Sequence, residues 1–120
     1  MDLNGMDYMR DEATGKKRSI GLEEAVMIAD RKNSRFVWLG VEPIYKISKI
    51  LNVERKMIMR LDPEDLLYKE ATELADLKDH VLLCYHGRTS HFISDFLQKA
   101  HKINTYHLEG GITKLSGKNL

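Results

Sequence analysis

Cysteine occurs once in this chain of 120 residues, at Cys84, and proline only twice, at Pro43 and Pro63. A lone cysteine cannot close an internal disulfide. That points to a reducing compartment and leaves any chemistry at Cys84 without a resolving thiol in the chain. Net charge is nearly absent as well, since 19 Lys and Arg stand against 18 Asp and Glu. A nucleic-acid-binding domain usually carries a marked basic excess, so no nucleic-acid partner is expected. No apolar run reaches the length of a membrane span, and the opening MDLNGMDYMRDEATGKKRS lacks the apolar core of a secretory leader. The sequence therefore reads as cytoplasmic, with no membrane partner.

What is present suits an ordinary globular domain: 42% hydrophobic and 31% charged residues. A chain of this size buries roughly two-thirds of its unfolded surface, enough for one core without staples. Residues 1–18 mix charges with Gly5 and Gly15 and show no helical or strand period, so they read as a flexible segment ahead of one domain over residues 19–120. Within that segment Lys16, Lys17 and Arg18 read as a solvated basic run.

From Ser19 onward, helical and strand patterns alternate. GLEEAVMIADRK sets Leu22, Ala25, Val26 and Ala29 on one helical face, with Glu23 and Glu24 at the start and Arg31 and Lys32 at the end. RFVWLGV reads as a buried strand of about five residues ended by Gly40. Pro43 suits a first helical position, followed by Ile44, Ile47 and Leu51 at helical spacing. Lys56 to Arg60 reads as a short strand. DPEDLLYKEATELADLK reads as one helix, capped by Asp62, opened by Pro63 and made apolar on one side by Leu66, Leu67, Leu74 and Ala75. HVLLCY is the next strand, and HFISDFLQKAHK the next helix through Phe92, Ile93, Phe96, Leu97 and Ala100. INTYHLEGG is a last strand closed by glycines. Such alternation implies right-handed crossovers: an α/β fold with a mostly parallel central sheet of four or five strands and helices on both faces. Ligands of such sheets sit beyond the carboxyl ends of the strands, and Cys84 lies at one of those ends.

The loop that follows, CYHGRTS, is composed for an anion. Gly87 lets a short loop curl until several N–H groups point inward, and the next helix, expected to open about six residues after Cys84, adds its positive end. A thiol at the centre of such a ring ionises readily and becomes a nucleophile. Arg88 and His86 can attract an incoming anion, while the hydroxyls of Thr89 and Ser90 can donate to sulfur or cap the helix. A second reading stands beside this one from spacing alone, in which Cys84 is a small hydrophobe ending a buried strand. A metal site of Cys84, His86 and His91 lacks the fourth ligand that a structural zinc requires. His80, His101 and His107 read as surface or helix-end residues, and the methionines as core filler or tail.

CYHGRTS resembles the active-site loop of the rhodanese family of sulfurtransferases, in particular the small single-domain thiosulfate sulfurtransferases, in which a catalytic cysteine is followed by Gly three residues later. YHLEGGI, Tyr106 to Ile112, is similar to the family's closing strand and Gly-Gly turn, so the likeness covers about the last forty residues. Upstream, FVWLGVEP keeps Glu42 and Pro43 but not the aspartate and arginine that usually precede them. The family's Gly-His-Ile-Pro-Gly-Ala-like segment is not recognisable in KISKILNVERKMIMRLD, and Leu115 stands where tryptophan is common.

The resemblance implies a single rhodanese-like domain in which Cys84 attacks the outer sulfur of thiosulfate, releases sulfite and carries a persulfide to an acceptor such as cyanide or a thiol. It makes Cys84 the nucleophile, with Tyr85, His86, Gly87, Arg88, Thr89 and Ser90 the substrate cradle and Arg88 the favoured anion contact. No cofactor or metal is called for. The partners implied are a small anionic sulfur donor, a thiophilic acceptor and a sulfur-accepting protein. Two other readings share the loop. One is a non-catalytic rhodanese-like binding or sulfur-relay module. The other is a cysteine-dependent phosphatase or arsenate reductase, which needs an arginine where this chain has Ser90 and usually a histidine where it has Leu83.

Overall fold

The computed structural model describes residues 18–116, so the expected flexible segment falls, except for Arg18, outside the described residues. The chain runs β1 (Ser19–Ile20), α1 (Leu22–Lys32), β2 (Phe36–Trp38), α2 (Ile44–Leu51), β3 (Ile58–Arg60), α3 (Pro63–Tyr68), α4 (Ala71–Leu74), β4 (Val81–Leu83), α5 (Arg88–His101), β5 (Tyr106–Leu108) and α6 (Gly111–Ser116). Single 3-10 turns occupy Arg55–Met57 and Ala75–Leu77.

The strands form one sheet in the order β1-β5-β4-β2-β3, and every neighbouring pair is parallel. The chain steps one way across the sheet from β1 to β2 to β3, then back through β4 to β5. Right-handed crossovers therefore send the first helices to one face and the later ones to the other. The core divides accordingly. Ala25 and Ala29 of α1, Ile47 and Leu51 of α2 and Ile112 of α6 pack on Phe36, Trp38, Val81, Leu83 and Leu108. Leu66 of α3, Leu74 of α4 and Ile93 and Leu97 of α5 pack with Val37, Leu82 and Cys84 on the opposite face. β2 and β4 are neighbours in register, Trp38 beside Leu83, yet their following helices leave to opposite faces. This is where an open parallel sheet parts to form a crevice, and Cys84 is the first residue beyond β4.

Several helices match their chemistry. Asp62 accepts the Glu64 amide at 2.8 Å and Pro63 opens α3. Acids begin α1 and bases end it. Pro43 sits one residue earlier than expected, directly before α2. The strands are three residues or fewer, and the expected strand at Lys56 is half 3-10 turn. The single helix expected after Asp62 is two, because Lys69 and Glu70 are both extended (ψ 154° and 157°). The break falls in a polar stretch that no apolar side chain ties to the sheet, while Leu66, Leu74 and Leu77 on either side stay buried.

Several assignments of side chains to the core or the surface are corrected. Val26 and Met27 of α1 are exposed, since Ala25 and Ala29 alone let the helix approach the sheet closely. Phe92 and Ala100 are exposed and Ala75 lies outside the core; the buried stripe of α5 is Ser90, Ile93, Ser94 and Leu97. Its serines are satisfied within the core, Ser94 Oγ donating to the Thr105 carbonyl at 3.2 Å and accepting from Thr105 Oγ1 at 2.8 Å. Arg18 is buried against α5, donating to the Ser94 carbonyl and to Asp95 at 3.2 Å. His107 is buried in β5, not on the surface.

Candidate functional site

Gly87 has φ 90° and closes the loop from β4 directly into α5, so the helix opens at Arg88, earlier than the sequence pattern implied. That shorter loop brings the first turn of α5 over the sulfur. Cys84 Sγ accepts the Gly87 amide at 3.1 Å and the Ser90 amide at 3.3 Å, with the Ser90 hydroxyl also 3.3 Å away. The first amides of a helix have no intrahelical acceptor, and here the sulfur serves as one. Negative charge at that atom is favoured by the two N–H dipoles and by the helix end behind them.

The side chain has two surroundings. Cys84 is 4% exposed and belongs to the aliphatic cluster on the α5 face, yet its sulfur is turned to donors on the loop side.

The loop is held from below by the turn that follows β5. Gly110 and Gly111 have φ 79° and 70°, and a Cβ at Gly111 would stand 2.3 Å from the Tyr85 carbonyl oxygen. Only glycine permits that approach. The Ile112 amide then donates to the Cys84 carbonyl and the Thr113 amide to that of Tyr85, each at 3.0 Å. Thr113 Oγ1 adds a third bond, to Tyr85 at 2.8 Å.

The expected cradle residues play different parts. Tyr85 points away from the sulfur: its ring meets Trp38 edge-on at 5.0 Å, and its hydroxyl accepts the Val41 amide at 3.0 Å. It is a strut linking the loops after β4 and β2, where the expected aspartate and arginine are missing. His86 is exposed, with Nδ1 3.1 Å from Thr113 Oγ1. Gly87 and Ser90 are the groups brought to the sulfur, while Arg88 and Thr89 are exposed on the first turn of α5. Among the described residues no group of three or more His, Cys, Asp or Glu is placed to hold a metal ion. No described helix is long and apolar enough to cross a membrane.

Sequence reasoning did not find the supporting roles of Val41 and Thr113, or the buried imidazole of His107. His107 carried a signal: it is the middle residue of an apolar strand, aligned with Leu82. Burial first, then the nearby His91 and Arg18, pushes its pKa down to about 4, against a pull upward from the Leu108 backbone.

The fold has counterparts among solved structures. A rhodanese-related protein from Thermoplasma volcanium superposes with a TM-score of 0.57 at 20% identity, over 83% of this chain and 91% of that one. The fold is rhodanese-like. A protein from Staphylococcus saprophyticus subsp. saprophyticus is also similar, with a TM-score of 0.51 at 14% identity over 82% and 92% of the two chains. No family model and no curated protein matches the sequence. In this rhodanese-like chain the cysteine, its amide donors and the Gly-Gly support gather at the carboxyl end of the central strand.

Proposed function

We propose that the protein is a sulfurtransferase that takes sulfane sulfur from a small anionic donor, thiosulfate in the simplest case, and carries it as a persulfide on Cys84. The observation that supports this most is the pair of amides, Gly87 and Ser90, aimed at Cys84 Sγ from the opening of α5. The thiolate attacks the outer sulfur of thiosulfate. A new S–S bond forms at Cys84, the old one breaks, and sulfite leaves with its electron pair. The amides stabilise the charge of the thiolate before the step and of the persulfide after it, without reorganising. Arg88, exposed beside the loop and in no ion pair among the described residues, draws the dianionic donor in. A thiophilic acceptor then removes the outer sulfur, and the external acceptor makes a second cysteine unnecessary.

Phosphatase chemistry is less well served. Where it needs a guanidinium fork, the chain has Ser90, a buried side chain already engaged with the sulfur. The test is steady-state thiocyanate production from thiosulfate and cyanide. Parallel reciprocal plots, the signature of a covalent intermediate, are expected, with no turnover by Cys84→Ser. Intersecting plots, or an active Cys84→Ser variant, would refute the mechanism.

A further inference from the structure

Beside the Cys84 loop, between the ends of β1 and β5 and the first turns of α5, lies a cleft of about 330 Å³ lined by Ser19, His107, His91, Gly87, Arg88 and Glu109. Its floor is polar and unsatisfied. His107 is 3% exposed and, beyond a loose approach of the Leu108 backbone, its ring nitrogens meet no hydrogen-bonding partner; Ser19 is 1% exposed and its Oγ has none. The two residues are aligned across β1 and β5, so both side chains rise from the sheet on the α5 side. The His91 ring stands edge-on to that of His107 at 5.0 Å. Buried polar groups in folded proteins are nearly always paired, and a floor that both donates and accepts calls for a ligand that does the same. The rim supplies opposite charges. Arg88 and Glu109 are both exposed, and neither forms an ion pair among the described residues. Gly87 belongs to both places, lining the cleft while its amide holds the sulfur.

We propose that this cleft is the acceptor subsite and that it selects a small zwitterionic thiol of the cysteine type, its carboxylate at Arg88, its ammonium at Glu109 and its neutral polar atoms over Ser19 and His107. The proposal rests on the sulfurtransferase reading for its chemistry. The acceptor's thiol gives its proton to solvent, and the thiolate attacks the outer sulfur of the Cys84 persulfide. An S–S bond forms on the acceptor, the bond to Sγ breaks, and its electron pair returns to Cys84 as thiolate. The transfer is redox-balanced and needs no further reactant.

The test discharges preloaded Cys84 persulfide with L-cysteine, with cysteamine, which lacks the carboxylate, and with 3-mercaptopropionate, which lacks the ammonium. Rates are compared per thiolate. Saturation with cysteine is expected, with an advantage of about three- to fivefold over each single-charge thiol, the size of one exposed charge contact. Glu109→Gln should shrink the ratio of cysteine to 3-mercaptopropionate by a similar factor. Equal rates for all three thiols, or an unchanged ratio in Glu109→Gln, would overturn the assignment while leaving the sulfurtransferase reading intact. A second measurement needs no persulfide: L-serine is titrated into Cys84→Ser protein while the imidazole C–H signals of His107 and His91 are followed by NMR. Saturable shifts at His107 support the cleft whatever becomes of the sulfur chemistry, and their absence overturns it.

Discussion

Gly111→Ala is the substitution whose cost the structure specifies most closely. A methyl group there would lie 2.3 Å from the Tyr85 carbonyl oxygen, 2.5 Å from its carbon and 2.7 Å from the Cys84 carbonyl oxygen. None of these is the movable end of a side chain. The residue also has φ 70°, and holding a non-glycine residue in that region costs about 1–2 kcal/mol. Relieving the overlap costs a further 1–3 kcal/mol, roughly the penalty of an overpacked core. Moving the turn away lengthens the Ile112 and Thr113 hydrogen bonds to the loop, at about 1 kcal/mol for each one lost. With one of those bonds lost the sum is about 3–6 kcal/mol, a large part of the stability of a small domain. Differential scanning calorimetry should show Tm lower by roughly 10–20 °C. The same variant should load sulfur more slowly, because the loop carbonyls it displaces belong to Cys84 and Tyr85. Gly21→Ala is the control: nothing lies within 4 Å of the added methyl, and φ is −84°. Its cost should stay below about 1 kcal/mol, the range of a helix N-cap change. If Gly111→Ala melts within a few degrees of Gly21→Ala and loads sulfur at the normal rate, the claim that the Gly-Gly turn supports the loop is wrong.

Arg88→Ala should lower kcat/KM for thiosulfate about three- to fivefold, as for loss of one exposed charge contact, and affect a neutral persulfide donor less; equal losses with both donors would remove Arg88 as the anion contact. The buried imidazole of His107 gives the fold a pH dependence of known sign. Its pKa is held down from 6.5 to about 4, so the unfolded chain takes up this proton before the native one does. The contribution is complete above pH 6.5, declines as pH falls toward 4 and changes no further below that. At about 1.4 kcal/mol per pH unit, stability should drop by roughly 2–3 kcal/mol between pH 7 and 4.5. Urea unfolding of wild type and His107→Gln at both pH values checks this, and an equal drop in the two proteins would contradict it.

Much of this architecture was legible because periodicity and punctuation agree over long stretches. The strand before Cys84, the glycine three residues after it and the alternation of helix and strand pointed to an α/β sheet and to the loop that leads from β4 into α5. What escaped depends on how helices are rotated against the sheet and on strand register. In α5 the apolar residues Phe92 and Ala100 drew the helical stripe to the wrong phase. The residues that meet the sheet include Ser90 and Ser94, small enough for close approach and bonded within the core. Arg18 looks like part of a solvated basic run until β1 pairs with β5 and brings it beside Asp95, whose own burial is outweighed by Lys99 and Arg18, leaving its pKa lowered. His107 and Ser19 are 88 positions apart in the sequence, and only the β1 to β5 pairing makes them one floor. At the candidate site Cys84 and the loop after it could be picked out of the sequence, but of the six residues expected to surround the sulfur Gly87 and Ser90 are the ones bonded to it. That Tyr85 turns outward as a strut could not be read there, because it depends on the Val41 amide in another loop.

The central claim is that Cys84 receives and holds a sulfur atom, and intact-mass spectrometry tests it most directly. After incubation with thiosulfate the protein should gain the mass of one sulfur, lose it again on adding cyanide, and show neither change as Cys84→Ser. An unaltered mass under conditions in which iodoacetamide readily alkylates Cys84 would contradict the account.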